Sequence, residues 1–155
     1  MFSTPDKKKQ KINFRFQKVI SISNRETIKK TIVTLFKKEK QILDCLDIIF
    51  CSDEYLLDIN KVNLNHNYYT DTITFNYSPK NQKGILGEIY ISVDRVRDNA
   101  IRFNSTIKQE LLRVIFHSSL HLCGYQDKTI VQKEQMTIKE DFFIGVFKKH
   151  VSRGT

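Results

Sequence analysis

Residues 105–127 read STIKQELLRVIFHSSLHLCGYQD. Ser105 or Thr106 is suited to cap a helix, and Thr106 with Gln109 makes a capping box. Leu111, Leu112, Val114, Ile115, Phe116, Leu120 and Leu122 wrap most of the circumference, which predicts a largely buried helix at the centre of the fold. Gly124 is placed to end it in the left-handed conformation. His117 and His121 are four residues apart and so lie one above the other on a single face. That spacing suits a divalent cation, which takes imidazole nitrogen at about 2.0–2.1 Å. Beyond the glycine the chain can fold back and bring Asp127 to the same spot as a third ligand.

The pattern H-x3-H-x2-G-x2-D has the geometry of the long zinc-peptidase motif. Ser118 stands where those peptidases carry the glutamate that takes a proton from the metal's water. Ligands without that base point to hydrolysis of another bond. The plainer alternative is two core histidines bonded to backbone carbonyls, with Asp127 capping the last helix. Burial of the helix counts against it, because two adjacent imidazoles in a core each need a partner.

Working outward, the 155 residues suit one domain over 1–155, with a basic segment over 1–12 and a short tail over 150–155. The 40% hydrophobic and 28% charged content is that of a soluble globular chain. No apolar run approaches the ~20 residues of a membrane helix, and no signal peptide is evident. Three cysteines in apolar runs suit a reducing, cytoplasmic setting. Residues 1–40 hold 12 Lys/Arg against 3 Asp/Glu, whereas residues 41–155 hold 14 of each, so the net +9 lies in the first quarter. Such a surface attracts a polyanion such as RNA.

Alternation predicts strands over 13–16 and 71–77, richness in strand formers predicts one over 43–51, and 85–94 reads as another. Helices are predicted over 24–40 (capped by Asn24), 52–63 (opened by Ser52 or Asp53), 94–103, the stretch from 105, and 129–149. Gly87 within a strand marks a bulge or a close backbone approach. In the last helix Met136, Phe143, Val146 and Phe147 are the expected inward contacts. The fold class is α+β: roughly four strands in a mixed sheet against about five helices.

HSSLHLCGYQDK (117–128) resembles the signature H-G-x-L-H-L-x-G-Y-D-H of the metal-dependent rRNA-maturation endoribonucleases of the YbeY family. YTDTITF (69–75) and GEIYIS (87–92) look like two further family segments, P-T-D-V-L-S-F and G-D-I-x-I-S, in the same order and spacing. The resemblance covers roughly residues 40–145. It implies a metal-dependent, single-strand-specific endoribonuclease that acts on small-subunit rRNA near its 3′ end and in ribosome quality control. It implies one divalent ion, zinc by preference, on His117, His121 and Asp127, with no nucleotide cofactor and no membrane partner. Three departures stand out. The third ligand is usually His where this chain has Asp127, the Gly after the first His is Ser118, and many members carry Arg where Leu64 stands here.

Within that reading Asp71 is a candidate to position water or to back a ligand, against the plain role of a turn residue. Arg113, one turn before His117, is a candidate phosphate contact, against an ion pair with Glu110. Cys123 and Tyr125 read as packing residues at the helix end, Thr70 as structural, and His150 as an exposed residue of a basic tail. Two other functions compete: a non-catalytic RNA- or ribosome-binding module with a structural metal, and a metallopeptidase.

Overall fold

The computed structural model describes residues 11–64 and 70–154, with the side chains of Lys11 and Leu64 excepted. Most of the basic segment expected over 1–12, and His66, fall outside these residues.

Four strands form one sheet: β1 (Lys11–Phe16), β2 (Ile42–Cys51), β3 (Thr72–Asn76) and β4 (Gly84–Ser92). Their spatial order is β1-β2-β4-β3. β1 and β4 both run parallel to β2, while β3 is antiparallel to β4. Each parallel step is bridged by helix: α1 (Arg25–Lys38) joins β1 to β2, and α2 (Asp53–Leu64) lies between β2 and β3. After β4 come α3 (Val93–Arg102), α4 (Ile107–Leu122) and α5 (Ile130–Gly154). The architecture is the α+β one expected, and the sheet is mixed.

Period-two alternation decides which face each strand residue takes. Ile85, Ile89 and Ile91 of β4 join the main core with α1, α4 and α5. Tyr90, Ile73 and Phe75 point to the other face, where Leu56 and Ile59 of α2 cover them. Helix α4 is buried along most of its length, including Ile115, Phe116 and Leu120 at 0% exposure. Its predicted capping box is present, with Thr106 accepting from the Gln109 amide. Gly87 is the close approach: a Cβ there would lie 2.9 Å from Leu122 Cδ1, so its absence lets the end of α4 settle on β4.

Three local expectations differ from the structure. Asn24 precedes α1 but is left-handed (φ 60°) and makes no side-chain cap; its amide oxygen accepts from Lys108 instead. Helix α3 begins at Val93, with Ser92 capping it through the Arg95 amide. Helix α5 continues through the expected tail to Gly154, because His150 is half-buried against α1, its Nδ1 3.0 Å from Thr31 Oγ1.

Candidate metal centre

Helix α4 ends in a Schellman motif, which sets up the site. The Gly124 amide donates to His121 O at 3.0 Å and the Tyr125 amide to Leu120 O at 3.1 Å, the paired bonds that define this stop. Gly124 adopts φ +103°, a conformation that costs any residue with a Cβ. The reversal leaves the Tyr125 carbonyl facing back toward the helix, 2.8 Å from His121 Nδ1. It also returns Asp127 to the two imidazoles. Asp127 Oδ2 is 3.3 Å from His117 Nε2 and 3.5 Å from His121 Nε2. The two Nε2 atoms are 3.0 Å apart, with the rings edge to face at 85°. One donor atom from each of the three residues falls within 4.8 Å of the others.

The protons follow from the partners. A carbonyl oxygen only accepts, so His121 carries its proton on Nδ1. His117 Nδ1 faces Glu140 Oε2 at 2.7 Å, and Glu140 also accepts from Arg113 Nη1 at 2.8 Å. A carboxylate oxygen paired with an arginine serves as an acceptor, so His117 too donates from Nδ1. Both Nε2 lone pairs then point at one another and at a carboxylate. Three acceptors crowded together need an electrophile between them, either a proton or a metal ion. Two nitrogens at about 2.1 Å from a tetrahedral ion would lie about 3.4 Å apart, close to the spacing here. The donor set therefore fits a divalent cation. Orientation of each imidazole by a carboxylate or carbonyl on its far nitrogen is the usual companion of metal ligation.

Burial disfavours the imidazolium of His117. The hydrogen bond and charge of Glu140, with the charges of Asp127 and Asp71, outweigh that and hold its pKa above the ordinary 6.5. Asp71 lines a cleft of about 200 Å³ together with His117, Arg113 and Glu140, and its backbone carbonyl accepts from the Ser92 amide at 2.9 Å. Arg113 does not pair with Glu110. Its guanidinium spans Glu140 and Asp141, the latter at 2.7 Å, because α5 packs directly alongside α4. Ser118 is fully buried, bonded to Val114 O and Thr72 Oγ1, each at 2.8 Å, and so fastens α4 to β3. Cys123 stands apart from the ligands; burial, then Glu39, pushes its thiol up to about 12. Tyr125 donates to Glu39 at 2.7 Å. Thr70 Oγ1 bonds the nearby Thr72 carbonyl.

Sequence reasoning missed Glu140. It sits on the α5 stripe with Met136, Phe143 and Phe147, all buried. A carboxylate on an apolar stripe was the available signal, since acidic side chains are almost never buried without a partner.

A sequence model described as Endoribonuclease YbeY matches residues 6–148. The chain belongs to the YbeY endoribonuclease family. Endoribonuclease YbeY of Cytophaga hutchinsonii is 50% identical over 127 residues, covering 82% of this chain and 88% of its own. That of Karelsulcia muelleri is 40% identical, covering 89% and 96%. The solution structure of TM1509 from Thermotoga maritima has the same fold, with a TM-score of 0.58 at 24% identity over 92% of this chain and 95% of that one. No helix among the described residues is long and apolar enough to cross a membrane.

Proposed function

We propose that this chain is a metal-dependent endoribonuclease that cuts single-stranded RNA; the relatives named Endoribonuclease YbeY support the endoribonuclease part of that reading. Its place is in the cytoplasm, in maturation of the small-subunit rRNA 3′ end and in ribosome quality control. The observation that carries the reading is the convergence of His117 Nε2, His121 Nε2 and Asp127 Oδ2, with the far nitrogen of each imidazole already engaged.

His117, His121 and Asp127 would hold the ion, and zinc suits two nitrogens and an oxygen. A bound zinc supplies a Lewis acid that activates water near neutral pH and polarises a phosphoryl oxygen. Glu140 keeps the His117 lone pair aimed inward, and the Tyr125 carbonyl does the same for His121. Asp71, in the wall of the cleft, is suited to accept a hydrogen bond from the attacking water. Arg113 borders the same cleft; with Nη1 and Nη2 anchored on carboxylates, its remaining N–H donors are available to a phosphate. Ser118 offers no carboxylate and is consumed by structural bonds, which disfavours a peptidase.

Leu64 in place of an arginine favours one second reading, an RNA-binding module with a structural metal. Turnover separates the two. The purified chain should contain about one equivalent of zinc and cleave an unstructured RNA. His117→Ala and Asp127→Ala should lose both properties while keeping the wild-type circular dichroism. RNA retention without cleavage by the metal-loaded wild type would favour the binding module. A wild type devoid of metal under replete conditions would remove the enzyme reading.

A further inference from the structure

Three clefts join end to end across the helical face. The first, about 200 Å³, contains His117 and Asp71. The second, about 670 Å³, lies between the start of α4 and α5 and shares Phe103, Glu110 and Arg113 with the first. The third, about 490 Å³, lies between α1 and α5 and shares Asp141 and Gly145 with the second.

Cations gather toward the far end of this path. Asp141, Gly145, Lys149 and Arg153 recur at every fourth residue and so form one stripe of α5. Asp141 pairs at 2.7 Å with Arg113, which it shares with Glu140. Neither Lys149 nor Arg153 has an ion-pair partner among the described residues. Lys38 enters the third cleft from α1 and lies 5.6 Å from the Phe142 ring centroid. Phe142 is 50% exposed and Phe103, beside the metal centre, 63% exposed. Gly145 has no packing reason to be glycine: a Cβ there would meet nothing within 4 Å, and glycine weakens a helix interior. It leaves the crest of α5 bare where the second and third clefts meet.

We propose that single-stranded RNA leaves the metal centre along this path. It stacks on Phe103, crosses α5 at Gly145, and lays its phosphates on Lys38, Lys149 and Arg153 beside Phe142. The proposal rests on reading the centre as that of a ribonuclease. Cations that track a backbone, interleaved with exposed rings, make a sequence-tolerant single-strand site. From Glu140 to Arg153 the helix rises about 20 Å, room for several nucleotides of an extended strand.

The test uses the full chain and two labelled, unstructured RNAs of about 4 and about 16 nucleotides, the span of common single-strand site sizes. Fluorescence anisotropy over a salt series would compare wild type, Lys149→Glu/Arg153→Glu, Gly145→Leu and Gly145→Ala, with zinc content and melting temperature measured on each. The double variant is expected to bind the long RNA at least about tenfold more weakly, with a salt slope shallower by about 1–2. Gly145→Leu should weaken it, and Gly145→Ala should not. All should keep wild-type zinc content and cleavage of the short RNA. Wild-type affinity and slope in the double variant would overturn the path while leaving the ribonuclease reading intact. A wild type that neither binds nor cuts either RNA would overturn both. His117→Ala that holds the long RNA without cutting it would support both.

Discussion

Glu140 Oε2 lies 2.7 Å from His117 Nδ1, and the carboxylate making this contact is only 7% exposed. The contact fixes the direction in which His117 offers its other nitrogen. Glu140→Gln keeps an acceptor but removes the charge, so zinc affinity should fall by about 10–100-fold with the fold retained. Competition against a chromogenic chelator measures this. Glu140→Leu should also leave Arg113 with Asp141 alone and cost about 1–3 kcal/mol in denaturant unfolding. Undiminished zinc affinity in the Gln variant would sink the orienting role.

The pH dependence has a definite sign. In the metal-free protein His117 has a pKa above 6.5, so its contribution to stability is complete below about 6.5 and is lost as pH rises through the folded value. The metal requires neutral imidazole, so its stabilisation runs the other way and fades on acidification. Thermal unfolding with saturating zinc and with chelator, from about pH 8 to about pH 6, should therefore give converging melting temperatures. Divergence toward acid would contradict the assignment of His117 as a ligand.

Gly87 lets the end of α4 reach the sheet, with Leu122 Cδ1 2.9 Å from where a Cβ would stand. Gly87→Val should overpack this contact, cost about 1–3 kcal/mol, and lower zinc affinity, because His121 adjoins Leu122. Adding Leu122→Ala should recover part of both losses. A double-mutant cycle with no coupling would mean that the contact does not set the helix end.

Gly124 at φ +103° turns the chain so that the Tyr125 carbonyl and Asp127 both return to α4. Gly124→Ala should cost about 1–2 kcal/mol and reduce zinc affinity at unchanged helix content. Gly124→Asn should be milder, since asparagine visits left-handed conformations more readily. Calorimetric zinc titration of the two variants checks the order; equal affinity in both would detach the turn from the site.

The parts of the site legible in the sequence were the local ones. His117, His121, Gly124 and Asp127 lie within a single helix end, where helical period and a glycine stop fix geometry without tertiary knowledge. The strands were legible because Ile85, Gly87, Ile89 and Ile91 share one face and Tyr90 takes the other. What stayed hidden depended on packing between distant elements. Arg113 was expected near Glu110, its neighbour on the same helix, but docking of α5 offers Glu140 and Asp141 instead. The extension of α5 past residue 149 was hidden likewise, since His150 is held by Thr31 of α1. Asn24 misled because its cap-like side chain serves a lysine on another helix.

The three candidate metal donors all come from residues 117–127, so an ion on them would tie together only one short stretch of chain. The residue that only folding delivers is Glu140, 23 positions from His117. An ion's preference for native over denatured protein, and hence its power to drive refolding, would therefore rest on the folded helix end that converges the donors and on a side chain that never touches the ion.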